Sequence, residues 1–224
     1  MKLRSIAAAA ALVAASSASL AASVTLTGSN FNVTYDSAAL GLFGSSVTLV
    51  GNQLSFFPTS FVAQTGGGID VENSTIALQV TAHTGYVLSG FNLTEGGDFF
   101  HFGAPGVMSG VSAGGQLRVT PLPGSTQSAS ITAGGPFAAN SFLDFGTSNW
   151  SASASVTPVA NTTVANVSIQ NILAAYVVSG LGYAFIEKKE AFLTVGVTPV
   201  PEPETYAMML AGLVAIGFLA RRRG

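Results

Sequence analysis

The sequence predicts an all-β domain, an antiparallel sandwich or jelly roll, carried between two apolar end segments. Three observations predict it. Stretches of four to seven residues alternate apolar and polar side chains with a period of two. Pairs rich in glycine and asparagine separate those stretches. Hydrophobic residues make up 48% of the 224-residue chain and charged residues only 8%. A large apolar interior is therefore wetted mainly by Ser, Thr, Asn and Gly, and the abundant Phe, Val, Leu and Ile argue against disorder.

Taken in chain order, Met1-Lys2-Leu3-Arg4 is basic, Ile6 to Ala15 is apolar, and Ser19-Leu20-Ala21 offers small residues. Those are the parts of a secretory signal peptide, with cleavage expected after Ala21 or Ala22. Residues 1–22 are assigned to it, residues 23–197 to the β domain, and residues 198–224 to a C-terminal tail.

Within the domain, Phe31, Val33 and Tyr35 alternate with Asn32 and Thr34. Ser46–Val50 and Gln53–Phe57 meet across Gly51-Asn52, a two-residue connection that predicts a tight hairpin. Thr75–Thr81 places Ile76, Leu78 and Val80 on one face. Ser151–Thr157 does the same for Ala152, Ala154 and Val156. Ile172–Ser179 is the one helical candidate within the domain, its β-branched Val177 and Val178 making a strand an equal fit. Tyr183–Ile186 and Ala191–Val195 flank Glu187-Lys188-Lys189-Glu190, which predicts a second hairpin with a charged tip. Glycines at 66–68, 96–97, 114–115 and 134–135 are expected to break strands. The spacing gives roughly ten to twelve short strands.

Composition excludes several chemistries. The chain has no cysteine, so thiol catalysis, zinc–thiolate sites and iron–sulfur clusters are ruled out. Within the domain, Arg118, Lys188 and Lys189 face eight acidic residues, and a nucleic-acid partner needs clustered cations that are absent here. No cofactor is expected. His83 and His101 match no zinc spacing, and the aromatic neighbours of His101 suggest packing. Asp70 and Glu72 follow a glycine loop, and Glu95 and Asp98 flank Gly96-Gly97. These four are calcium candidates only, against the simpler reading of solvated turns. A glycosidase would need two acids across a groove, and no GxSxG nucleophile elbow is present. Trp150, the single tryptophan, is either an exposed sugar platform or a core anchor, and large aromatics favour the core.

The tail is the most specific segment. Val200-Pro201-Glu202-Pro203 precedes the apolar span Tyr206–Ala220, and Arg221, Arg222 and Arg223 follow. Prolines prevent a helix from running back into the domain, so a transmembrane helix is expected over about 205–220. Acidic residues stand at its positive end and arginines at its negative end. Residues 206–220 would span only about 22 Å, short of the ~30 Å hydrocarbon core. Their apolar side chains favour insertion by about 2 to 4 kcal/mol, which makes a marginal anchor extended by snorkelling arginines.

This layout resembles the PEP-CTERM sorting signal of Gram-negative bacteria, also catalogued as an ice-binding-protein C-terminal domain, a label that is no evidence of ice binding. The resemblance covers about a tenth of the chain. It implies recognition by an exosortase, a membrane-embedded protease-transpeptidase, and passage to the cell surface. The expected partners are signal peptidase and exosortase during export, the inner membrane through the tail before processing, and exopolysaccharide outside. The expected function is a non-catalytic surface or biofilm-matrix protein. A carbohydrate-binding module is the alternative and a glycan-active enzyme the third reading.

Overall fold

The structure, a computed structural model, describes residues 23–140, 146–200 and 203–223. The signal-peptide assignment with Ala21 and Ala22, the motif residues Pro201 and Glu202, and Asp144 lie outside the described residues.

Among the described residues twelve strands form: β1 (Ser23–Thr27), β2 (Phe31–Asp36), β3 (Val47–Val50), β4 (Gln53–Phe56), β5 (Val62–Thr65), β6 (Gly68–Ala82), β7 (Tyr86–Gly103), β8 (Met108–Pro121), β9 (Gln127–Ala133), β10 (Ser148–Val156), β11 (Val164–Val178) and β12 (Gly182–Pro199). A helix, α1 (Pro203–Arg223), follows. The strands join one sheet in the order β1-β2-β6-β11-β8-β9-β10-β7-β12-β4-β3, with β5 also on β12. All pairings are antiparallel.

The all-β antiparallel expectation holds, but a single sheet replaces two separate ones. β9 pairs with β8 on one side and, through Thr132 and Ala133, with β10 on the other. It thereby carries the sheet around its edge, so that β11 faces β12 and β7 faces β8. At the opposite side β1 approaches β3, and the sheet nearly closes on itself. Closure of this kind leaves little free edge for unwanted pairing.

The periodicities produced the expected faces. Phe31, Val33 and Tyr35 are buried on β2, and Ile76, Leu78 and Val80 on β6. Ala152, Ala154 and Val156 are buried on β10. The Gly51-Asn52 hairpin forms with Val50 opposite Gln53, and Gly51 takes the left-handed φ of +59° that such a turn uses. Inside, Phe43 meets Phe56 and Phe61 edge-on at 5.9 and 6.0 Å, a favoured aromatic geometry.

One open alternative is decided and three expectations are corrected. Ile172–Ser179 is strand up to Val178, because β11 runs between β6 and β8 and both neighbours supply hydrogen bonds. Glycines 96–97 and 114–115 lie inside β7 and β8 rather than between strands. Gly97 and Gly115 permit close approach of the neighbouring backbone instead of ending the strand. Asp70 and Glu72 belong to β6, not to a flexible loop. Residues 187–190 form no hairpin tip, since β12 continues through them.

Leu78, 3% exposed in the middle of β6, provides a direct check on this core. Leu78→Asp buries an unpaired charge and is expected to lower stability by about 3 kcal/mol. For a domain of this size that is a fall of roughly 10 °C in melting temperature. A melting temperature within a degree or two of wild type would remove Leu78 from the core.

Candidate functional site

The site is built by an irregularity in β12. Ala184, Ile186 and Lys188 point inward, and so do Ala191, Leu193 and Val195. The two series are one residue out of phase. Lys188 pairs with Gly97 and Glu190 with Gly96, which leaves Lys189 without a partner on β7. This is a β-bulge, one extra residue that re-aims the side chains around it. It sends Lys188 into the core and Lys189 to the surface.

Inside, Lys188 of β12 and Asn171 of β11 both meet Glu95 of β7. Lys188 Nζ lies 2.7 Å from Glu95 Oε2. Asn171 Nδ2 donates to the same oxygen at 2.8 Å. The three residues are only 2%, 4% and 1% exposed, in the order Lys188, Glu95, Asn171. Nζ also sits 5.5 Å from the ring centres of both Phe43 and Phe61, within cation–π range. Loss of water dominates the electrostatics. Burial pushes the Lys188 amine down to about 8, with the Glu95 carboxylate resisting the shift. Burial pushes the Glu95 carboxyl up, opposed by Lys188 and Asn171. Glu95 Oε1 and Asn171 Oδ1 have no hydrogen-bond partner, and Nζ has none beyond its ion-pair contact with Glu95. Each such orphan costs about 1–3 kcal/mol.

Outside the bulge, Asp98, Asn149, Trp150, Lys189 and Glu190 line a shallow groove of about 260 Å³. Lys189 bridges Asp98 and Glu187, the latter at 3.0 Å. The Asp98 hydrogen bond, then that of Glu187, holds its amine above the ordinary lysine range. Trp150 is 7% exposed, and its Nε1 donates to the Glu187 carbonyl at 2.9 Å. It is the core anchor expected of it, with no open face for stacking a sugar.

Both histidines are held by structural bonds. His101 is buried, with Nδ1 3.1 Å from Ser109 Oγ and Nε2 3.1 Å from the Phe137 carbonyl. His83 contacts the Ser29 carbonyl at 3.1 Å and Asn32 Oδ1 at 3.0 Å. Among the calcium candidates, Asp70 accepts from the Gln64 amide at 2.8 Å, Glu72 stands opposite Leu173, and Glu95 and Asp98 are engaged by lysines. Among the described residues no three metal-ligating side chains gather.

The inner cluster was missed by the sequence reading, which placed Lys188 in a solvated turn and gave Asn171 no role. A signal was nevertheless present. The inward series at 184 and 186 extrapolates to 188, and the series at 191, 193 and 195 is in the other phase, which requires a bulge between them.

In the tail, Val200 donates its amide to the Gly85 carbonyl at 2.8 Å. The helix begins at Pro203, two residues before the expected start near 205, because a proline is well suited to the first helical position. Its Met208, Leu210, Leu213, Val214, Ile216 and Phe218 are all exposed. Among the described residues no helix is long and apolar enough to cross a membrane.

The tail defines the class of protein. The PEP-CTERM protein-sorting motif matches residues 199–223, and the chain carries that motif. The motif implies export and processing by an exosortase. Among solved structures, that of TmCBM61 in complex with beta-1,4-galactotriose is 7% identical, overlaps 63% of this chain and 90% of that one, and gives a TM-score of 0.21. A likeness that low carries no argument about the fold or its ligand. No curated protein matches the chain.

Proposed function

We propose that this is an exported protein of a Gram-negative bacterium, held briefly in the inner membrane by its tail, released by an exosortase, and retained at the cell surface or in the exopolysaccharide matrix. The β domain has no catalytic role in this reading. The carrying observation is the sorting motif at 199–223. The exposed apolar side chains of α1 and the terminal arginines suit a marginal membrane stop. The engagement of Asp98 and Glu187 by Lys189 and the burial of Trp150 support a non-catalytic domain over a glycosidase. The alternative, a carbohydrate-binding module, lacks an exposed tryptophan platform and stands second.

Replacing Pro201, Glu202 and Pro203 together with alanine in the native host tests the reading. The full-length chain is expected to accumulate in the membrane fraction, detected by immunoblot with an antibody to the β domain. Mature protein of normal size in the medium would overturn processing at this motif.

A further inference from the structure

We propose that Lys188 and Asn171 become joined by an intramolecular isopeptide bond, formed autocatalytically with Glu95 as the acid–base group. Three polar side chains of complementary reactivity meet in the core, each more than nine-tenths buried. An amine and a carboxamide both touch one carboxylate oxygen, at 2.7 and 2.8 Å. A role as a simple ion pair leaves atoms of all three unsatisfied, an arrangement that a folded core ordinarily avoids.

The chemistry balances without an added reagent. Nζ of Lys188, as the free amine, attacks Cγ of Asn171. The Cγ–Nδ2 bond breaks, Nδ2 takes up a proton and leaves as ammonia, and Nζ gives up a proton to become a secondary amide nitrogen. Amine and carboxamide thus become amide and ammonia, with no change of oxidation state. Glu95, protonated at the outset, gives its proton to the leaving nitrogen and takes one from the attacking nitrogen, ending as it began. A half-turn of the Asn171 amide presents its carbonyl oxygen to the protonated Glu95 carboxyl. Which end of an amide carries oxygen is an assignment from its partners, and both placements fit the same space.

The surroundings favour the reactive protonation states. Burial moves the Lys188 amine toward neutrality and the Glu95 carboxyl toward protonation, the combination nucleophilic attack requires. Phe43 and Phe61 flank Nζ and help keep water from competing. Strand geometry brings the partners together, since Gly97 stands opposite Lys188 and Gly115 opposite Asn171. The product removes both buried charges and ties β11 to β12, two strands that are not neighbours in the sheet. The link would hold the two faces of the folded sheet together in a chain that has no disulfide.

Mass spectrometry of the purified full chain tests this. The wild-type protein is expected to be lighter than its sequence, after allowance for any terminal processing, by one ammonia. Chymotrypsin digestion after denaturation should release a branched species in which the peptide carrying Asn171 remains attached to that carrying Lys188. Cyclisation of Asn171 to a succinimide also loses ammonia but leaves these peptides separate, and would overturn the proposal. So would an unmodified mass with separate peptides. Glu95→Gln and Lys188→Arg are expected to abolish the branched species. Its persistence in Glu95→Gln would remove Glu95 from the acid–base role. The wild-type measurement decides the bond itself whether or not either variant folds.

Discussion

Gly97→Ala is expected to destabilise the domain by more than about 4 kcal/mol, a loss in the range reserved for severe core disruption. A Cβ at position 97 would sit 1.9 Å from the Glu187 carbonyl oxygen and 3.0 Å from Lys188 Cα. Both are backbone atoms of the bulged strand, so no side-chain rotation relieves the clash. Either β7 separates from β12 or the bulge is lost, and with it the inward aim of Lys188. Gly115→Ala meets the same obstacle on the other side of the sheet, 1.9 Å from the Gln170 carbonyl oxygen. Gly66→Ala is the control. It has open space around it and is expected to stay within about 0.5 kcal/mol of wild type. Denaturant titration of the three variants checks the set. Equal stabilities would mean that the strands do not approach as closely as described.

Lys188→Met is expected to cost about 3–5 kcal/mol, because it leaves Glu95 buried without its partner. Methionine keeps much of the volume against Phe43 and Phe61, so packing alone does not explain a loss of that size. Pairing it with Glu95→Leu removes both charges and should recover the electrostatic part of the loss, since buried ion pairs are often replaceable by apolar residues at little cost. A deficit that persists in the double variant measures what the covalent link adds. The comparison by chemical denaturation therefore separates a buried ion pair from a cross-link. If Lys188→Met proves neutral, Lys188 contributes neither.

The two lysines of this protein illustrate how far a sequence can be read. Lys188 and Lys189 are adjacent, and their composition alone suggested a solvated turn. The surroundings differ because one residue of slack in β12 reverses the side-chain alternation between 188 and 191. Lys189 then meets Asp98 and Glu187 at the surface, while Lys188 meets Glu95, 93 positions earlier in the chain, which also accepts from Asn171. Asn171 carried no motif at all. Its importance comes from β11 facing β12 across the folded sheet, which lets Asn171 donate to Glu95 of β7, a strand with which β11 never pairs.

By itself, the sequence determined the all-β class, the inward faces of β2, β6 and β10, the Gly51-Asn52 hairpin, and the sorting tail. These are local properties: a two-residue period sets which side of a strand is buried, and a short motif is read where it stands. The tertiary structure alone decided that the strands form one sheet folded over on itself, that Gly97 and Gly115 serve close packing, and that Glu95, Asn171 and Lys188 gather in one buried cluster. Those depend on register and on contacts between distant strands, and a shift of one residue is enough to turn a side chain from water to core.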